Sequence, residues 1–176
     1  RPGYDAIGLT DGRYDCNGHG THVAGIAAGY PFGIATYSDI VPVRVLGCDG
    51  SGYISWIVDG LDWVADNAVK PAVVNISIQA AANAVFDSAV NALIDNGITV
   101  VVAAANANDN ACNYSPARVS RAITVGATDK YDRRASFSNY GSCVDIFAPG
   151  VEIMSAAHDD YYGSVYMNGT SMAAPF

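Results

Sequence analysis

Apolar side chains recur at helical spacing in two stretches of the chain. In residues 54–68 they lie at positions 54, 57, 58, 61, 64 and 65, which is one face of an amphipathic helix. Residues 85–94 repeat this period, and Gly97 follows as a stop signal. A third stretch, residues 19–28, is rich in small and apolar residues and predicts a buried helix ending near Gly29.

Short apolar runs separate these helices and predict strands. They cover residues 39–46, 71–78, 98–105, 122–127 and 144–147. Strands that alternate with helices predict an α/β fold with a central parallel sheet flanked by helices. Residues 1–18 are polar and Gly-rich and are predicted to be loop. Loops that follow parallel strands meet at one edge of the sheet, so segments 47–52, 77–82 and 105–110 should border one cleft.

Composition favours one compact domain over residues 1–176. Hydrophobic residues make up 51% of the chain and charged residues 15%, and no repeat or low-complexity linker interrupts it. The net charge of −8 disfavours a nucleic-acid partner. No apolar run reaches the length of a membrane span. The chain opens at Arg1 without a methionine and stops at Phe176, so we interpret it as an internal piece of a longer protein.

Two short motifs carry candidate chemistry. Ser171 lies in Gly-Thr-Ser-Met-Ala-Ala-Pro (169–175), where a tight turn precedes small residues suited to the start of a buried helix. The first turn of a helix stabilises developing negative charge, but a serine still needs a base to become a nucleophile. The candidate base is His19, in Asn-Gly-His-Gly-Thr-His-Val-Ala-Gly (17–25). A metal site of Cys16, His19 and His22 is the alternative, but it needs a fourth ligand and leaves Ser171 unexplained.

The two motifs, in this order, resemble those of subtilisin-like serine proteases, and most closely the aqualysin-like members of the proteinase K branch. The resemblance runs from about residue 4 to residue 175. It implies a three-layer subtilisin-like fold, incomplete at both ends, and a serine endopeptidase that forms an acyl-enzyme. It makes Ser171 the nucleophile, His19 the general base and His22 a structural residue. It also implies that Asn106, with the backbone amide of Ser171, binds the oxyanion.

The resemblance also implies where a peptide binds, extended between segments 50–52 and 77–79. The implied substrate-binding residues are Gly50, Ser51, Gly52, Ser77, Ile78, Gln79, Ala104 and Ala105. In the family a glycine usually stands at Gln79, where it leaves room for a substrate side chain in the main specificity pocket, and another at Ala105 on the pocket wall. We therefore expect this pocket to be smaller and more polar, or partly blocked. The alternative function is a subtilisin-like fold that binds peptides without cleaving them efficiently.

One member of the family's catalytic triad has no match. The family's aspartate stands in an Asp-Thr/Ser-Gly motif on a strand well upstream of the histidine, and this chain contains no such motif. Asp5, Asp11 and Asp15 lie in the loop just before His19, in the wrong context. We therefore expect these 176 residues alone to be poorly stable and weakly active or inactive.

The four cysteines are Cys16, Cys48, Cys112 and Cys143, and an even count in a secreted-looking chain permits three pairings. The resemblance selects Cys16–Cys48 and Cys112–Cys143, which implies an oxidising compartment and a secreted protein. Four free buried thiols are the alternative.

The resemblance further implies one structural calcium ion and no organic cofactor. In the proteinase K branch the aspartate that matches Asp145 joins two backbone carbonyls around calcium, and these would belong to Ser120 and Ala122. The alternative is a solvated aspartate at a strand end.

The expected partner is a peptide or protein substrate bound by a monomer, with no nucleic acid and no membrane. A nucleotide-binding α/β module is a further alternative from another class. Its glycine-rich fingerprint fails here because Gly18 and Gly20 are followed by Val23.

Overall fold

The structure, a computed structural model, describes residues 2–8 and 10–176. Its helices are α1 (His19–Ala28), α2 (Ile54–Asn67), α3 (Ala84–Asp95) and the single turn α4 (Thr170–Ala173), with a short 3₁₀ turn at Ala111–Asn113. Its strands are β1 (Tyr4–Asp5), β2 (Val43–Arg44), β3 (Val73–Ile76), β4 (Ala80–Ala81), β5 (Thr99–Ala103), β6 (Tyr114–Ser115), β7 (Ile123–Thr128), β8 (Ile146–Pro149), β9 (Ile153–Ala156) and β10 (Ser164–Met167).

A four-stranded parallel sheet forms the centre of the fold, in the order β3–β5–β7–β8. Side chains alternate between its two faces, as the strand period requires. On β5, Val100 and Val102 pack in one cluster, whereas Val101 and Ala103 pack in another. Helices α2 and α3 cover the first face, and α4 covers the second. The predicted α/β architecture with helices on both sides of a parallel sheet is therefore confirmed.

The core between the sheet and helices α2 and α3 is built from the predicted helical stripes. Its buried members include Ile57, Leu61, Ile76, Phe86, Val90, Leu93, Val100 and Val102. The same stripe residues had defined both helices in the sequence, so each predicted helix agrees with the observed one to within about a residue. None of the helices in the described part of the chain is both long and apolar enough to cross a bilayer.

Three of the five predicted strands are shorter in the structure, and the other two keep their length but begin one or two residues later. The prediction for residues 39–46 was largely wrong. Only Val43–Arg44 pairs there, in parallel with Tyr4–Asp5. The neighbouring residue, Pro42, has no N–H to donate and contributes only its carbonyl, which accepts from the Tyr4 N–H at 3.0 Å. The predicted loop 1–18 thus contains a strand too short to leave a periodic signal, while Arg1 and Leu9 of that loop lie outside the described residues.

An antiparallel hairpin of β9 and β10 follows the central sheet and was not predicted. Its four pairs run from Ile153 opposite Met167 to Ala156 opposite Ser164. The hairpin packs on α1 and leads directly into Gly169 and α4. It therefore places the segment before the serine motif beside the helix that carries the histidine motif.

Both disulfides selected by the resemblance are present. Cys16 bonds to Cys48 and Cys112 bonds to Cys143, and no cysteine is free. The alternative of four free thiols was wrong. The metal alternative at His19 also fails, because the sulfur atoms of Cys16 and Cys48 bond to each other and neither is available as a thiolate ligand.

Candidate active site

Asp15 fixes the start of α1 and thereby the position of His19. Its Oδ1 accepts hydrogen bonds from the N–H groups of Asn17 at 2.9 Å and Gly18 at 2.8 Å. Its Oδ2 accepts from the Thr21 N–H at 2.8 Å and the Thr21 hydroxyl at 2.7 Å. Burial alone would raise the pKa of Asp15, but these four bonds outweigh it and lower the pKa to about 2. The carboxylate therefore stays ionised and satisfies the free N–H groups of the helix end.

His19, the first residue of α1, has a mostly buried imidazole. Burial lowers its pKa below the ordinary histidine value, and the positive charge that His22 can carry acts in the same direction, while the negative charge of Asp15 partly offsets them. A lowered pKa keeps the ring neutral at neutral pH, which is the form that accepts a proton. Among the described residues, no group forms a hydrogen bond with the His19 ring.

His22 is fully buried and ties α1 to the β9–β10 hairpin. Its Nε2 lies 3.0 Å from the carbonyl oxygens of Ile153 and Val165. Because a carbonyl only accepts, Nε2 carries the proton shared between them. The Ser155 hydroxyl in turn donates to the His22 carbonyl at 2.8 Å. These contacts give His22 a packing role.

Ser171 lies in the first turn of α4 and is connected to Ser77 at the end of the β3 segment. The Ser77 hydroxyl donates to the Ser171 carbonyl at 2.8 Å, and the Ser171 hydroxyl donates to the Ser77 carbonyl at 3.3 Å. The side chain of Asn75 donates to the Ser77 hydroxyl at 2.9 Å. The carboxyl end of β3 therefore holds the backbone of the serine turn.

Asn106 follows β5 and faces the same turn. Its side-chain Oδ1 accepts from the Thr170 N–H at 2.8 Å and from the Thr170 hydroxyl at 3.0 Å. Both bonds engage the oxygen, so the amide nitrogen Nδ2 keeps its donors free of any partner within the described residues. The arrangement leaves a preoriented N–H donor next to Ser171.

His19, Asn106 and Ser171, the three predicted catalytic residues, line one open cavity of about 430 Å³. They come from α1, from the end of β5 and from α4, which are far apart in the chain. The full lining is His19, Asn106, Tyr166, Met167, Asn168, Ser171 and Met172. The sequence interpretation missed the lining contributed by the end of β10. Its only signal was its place immediately before Gly169 of the serine motif.

The two predicted substrate-binding edges lie outside the lining of this cavity. Segment 50–52 is an exposed turn, in which the Asp49 carboxylate accepts from the N–H of Ser51 at 3.1 Å and from its hydroxyl at 2.6 Å. The Asn17 side chain donates to the Cys48 carbonyl at 3.1 Å, so this turn is joined to the loop that carries His19. Ile78 is half-buried and Ala104 is fully buried.

The two residues that replace family glycines occupy neighbouring positions in the structure. The Gln79 side-chain oxygen Oε1 accepts from the Asn106 N–H at 2.9 Å. Ala105 is buried and adopts a φ of 79°, in the left-handed region that normally favours glycine. The peptide group between Ala105 and Asn106 thus joins the two replacements, because Ala105 supplies its carbonyl and Gln79 accepts its N–H.

Asp145, the predicted calcium ligand, lies beside the start of β7. Its Oδ2 accepts from the Thr124 N–H at 2.8 Å, and its own N–H donates to the Thr124 carbonyl at 2.9 Å. The side chain is exposed, and no residue in the described chain bonds to its second oxygen. Ser120 and Ala122 precede Thr124 by four and two residues, so a free carboxylate oxygen borders the segment that would supply the carbonyls. A carboxylate oxygen is a ligand that a hard cation prefers, although the described residues contain no group of three or more His, Cys, Asp or Glu side chains that could hold a metal ion.

Comparison with known proteins identifies the family. The sequence matches the subtilase family over residues 1–176. The chain belongs to the subtilase family. An extracellular serine proteinase of Thermus sp. (strain Rt41A) is 55% identical over 173 residues, which cover 98% of this chain and 42% of that protein. Alkaline serine exoprotease A of Vibrio alginolyticus is 50% identical over 173 residues, which cover 98% of this chain and 32% of that protein.

A solved structure agrees with the sequence comparison. The crystal structure of a cold adapted subtilisin-like serine proteinase superimposes with a TM-score of 0.95 at 50% identity, and covers 98% of this chain and 63% of that one. The predicted subtilisin-like fold is therefore confirmed. This subtilase chain spans only 42% and 32% of the lengths of the two relatives named above.

None of the aspartates near the histidine motif contacts the His19 ring of this subtilase. Asp5 is buried and bonds to the Arg44 guanidinium at 3.4 Å, while Asp11 pairs with a neighbouring arginine at the surface. Both carboxylate oxygens of Asp15 accept hydrogen bonds from residues at the start of α1. All three aspartates therefore have other partners, and the absence of a triad aspartate from this chain stays a prediction.

Proposed function

We propose that the protein is an extracellular serine endopeptidase that hydrolyses peptide bonds through an acyl-enzyme, and that residues 1–176 form part of its catalytic domain. The observation that carries the proposal is the convergence of His19, Asn106 and Ser171 on one cavity. Two relatives named as serine proteases, at 55% and 50% identity, support it. The Thermus relative is named as extracellular, and two disulfides are consistent with an oxidising compartment.

In the proposed reaction, the Ser171 hydroxyl turns from the Ser77 carbonyl to the His19 ring, its Oγ attacks the scissile carbonyl carbon, and His19 takes the hydroxyl proton. The carbonyl oxygen becomes an oxyanion, which accepts hydrogen bonds from the Asn106 Nδ2 and the Ser171 N–H. His19 then gives the proton to the leaving amine, and the acyl group stays on Ser171 as an ester. Water, deprotonated by the same imidazole, hydrolyses this ester and regenerates the serine.

The hydrogen bonds of Asn106 support its proposed role. An amide offers both a donor and an acceptor, and only the donor stabilises an oxyanion. Because both Thr170 groups engage Oδ1, the side chain cannot flip without losing two bonds. The donor is therefore in place before charge develops, which is the condition for strong electrostatic stabilisation.

The proposed substrate is a peptide or protein chain, bound by a monomer without an organic cofactor. The net charge of −8 supports the exclusion of nucleic acid as a partner. The peptide would lie between segment 50–52, which is exposed, and segment 77–79, of which only Gln79 is exposed.

A serine-directed covalent probe tests the proposed function. Treating the full-length protein with a fluorophosphonate should label Ser171 alone, because only an activated hydroxyl reacts with such a probe. Ser171→Ala should abolish the labelling, whereas the matched change Ser88→Ala at an exposed serine of α3 should not affect it. If the folded protein takes up no probe, the alternative of a peptide-binding subtilase without efficient cleavage replaces the proposal.

We also propose a structural calcium ion held by the Asp145 carboxylate and the carbonyls of Ser120 and Ala122. The free oxygen of Asp145 supports this assignment, and the ion would contribute charge neutralisation and loop rigidity rather than chemistry. At a calcium concentration of 100 times Kd, binding would stabilise the fold by about 2.7 kcal/mol.

Thermal unfolding with and without calcium tests this site. Tm of the full-length protein should be higher in calcium than in chelator, and Asp145→Asn should remove part of that difference. Asp66→Asn, at an exposed aspartate of α2, serves as the control and should leave the difference unchanged. An equal response to calcium in wild type and Asp145→Asn would place the ion elsewhere.

A further inference from the structure

The side chain of Gln79 forms a bridge between two segments that flank Ser171. Its backbone belongs to the segment after β3, and its Oε1 accepts the Asn106 N–H at 2.9 Å. The segments it joins are those that the family resemblance assigns to the two walls of the main specificity pocket. In the family a glycine usually stands at this position, and a glycine has no side chain to make such a bridge.

Both ends of this bridge are held by further contacts. On one side, β4 begins at Ala80, directly after Gln79, and pairs with β6, where Ala80 lies opposite Ser115. On the other side, the peptide group between Ala105 and Asn106 is fixed twice. Its carbonyl accepts from the Asn139 N–H at 3.0 Å, and its N–H donates to Gln79. The two segments that the bridge joins are therefore each held in place by contacts other than the bridge itself.

The cavity beside Ser171 extends away from this bridge. Its lining comes from α1, from the end of β10, from α4 and from Asn106, and includes neither Gln79 nor Ala105. The open space at the serine therefore lies on the side of the β9–β10 hairpin. On the side of Gln79, the bridge and the methyl group of Ala105 occupy the positions where two glycines would leave room.

We propose that Gln79 is a specificity-determining residue that confines the side chain on the acyl side of the scissile bond to small groups such as those of glycine and alanine. This inference rests on the proposed function and names its substrate class. A small side chain fits beside the bridge, whereas an aromatic one must break the bond to Asn106 and displace the Gln79 side chain. The bridge excludes a large side chain of the substrate but leaves Ser171 accessible, so the protein remains an enzyme.

Hydrolysis of matched peptides tests the proposal in the full-length protein. A peptide series that varies only the acyl-side residue, from Gly and Ala to Leu and Phe, should give kcat/KM for Ala at least about tenfold above that for Phe. Gln79→Gly should raise kcat/KM for Phe by at least about tenfold, while the value for Ala changes much less. Ala82→Gly, at an exposed alanine three residues further on, should leave the ratio of kcat/KM for Ala to kcat/KM for Phe as in wild type.

Two further variants separate the hydrogen bond from the bulk of the side chain. Gln79→Glu keeps an oxygen that accepts from the Asn106 N–H and should retain the preference for small residues. Gln79→Met has similar length but no such acceptor, so its untethered side chain should admit Phe better than wild type does. Gln79 is exposed, and a Tm measurement on each variant checks that the fold is retained.

The outcomes distinguish this inference from the proposed function. If wild type reacts with the fluorophosphonate and cleaves after Phe as readily as after Ala, the inference is overturned and the proposed function stands. The inference is likewise overturned, and the proposed function stands, if Gln79→Gly leaves the ratio of kcat/KM for Ala to kcat/KM for Phe unchanged. If wild type neither reacts with the probe nor cleaves any peptide of the series, the proposed function fails and the inference fails with it.

Discussion

Replacing Ser171 with alanine is expected to lower kcat by about 10⁶-fold, the size of the loss known for subtilisin itself, and replacing His19 should cost about as much. The two groups act as one unit, because the serine hydroxyl is a nucleophile only when the imidazole accepts its proton. Burial keeps the His19 ring neutral and ready to do so. The double variant should therefore be hardly slower than either single one.

Steady-state hydrolysis of a chromogenic peptide by the full-length protein measures this prediction. His158→Ala is the matched histidine control, since His158 is exposed and lies outside the cavity lining, and its kcat should stay close to wild type. If the fold-decrease in kcat of the double variant equalled the product of the two single decreases, the two residues would act independently, contrary to the proposed mechanism.

Replacing Asn106 with leucine is expected to lower kcat by roughly 10²- to 10³-fold, the effect known for the oxyanion asparagine of subtilisin, with little change in KM. The Nδ2 donor stabilises charge that exists only in the transition state, so its loss does not weaken substrate binding. Asn106→Asp tests the role of the Nδ2 donor separately from the shape of the side chain. It retains an oxygen for the two Thr170 bonds but replaces the free donor with a second acceptor.

Asn106→Asp should therefore be at least as impaired as Asn106→Leu, even though its shape is that of wild type. Asn67→Leu, an exposed asparagine at the end of α2, should not change kcat. A rise in KM with unchanged kcat in both Asn106 variants would mean that this side chain holds the ground-state substrate and does not form the oxyanion site.

Local patterns in the sequence accounted for most of the fold. The stripes that contain Ile57 and Phe86 located α2 and α3, because a helix repeats its buried face every three to four residues whatever surrounds it. The short strands were placed less accurately, since β1 and β2 comprise two residues each and depend on pairing with a distant segment. The β9–β10 hairpin pairs neighbouring segments of four residues each, but it was missed because Ile-Met-Ser-Ala (153–156) and Ser-Val-Tyr-Met (164–167) show no strict alternation of apolar and polar residues.

The sequence by itself determined the family and the disulfide pairing implied by it, and it singled out His19, Asn106 and Ser171 as candidate catalytic residues, since each belongs to a recognisable motif. Only the tertiary structure decided how these residues are held. Ser77 and Ser171 are 94 positions apart, and Gln79 and Asn106 are 27 apart. No periodic pattern encodes contacts at such separations, because they depend on how β3, β5 and α4 pack. For that reason the sequence suggested that Gln79 fills space, whereas the structure showed which atom it binds.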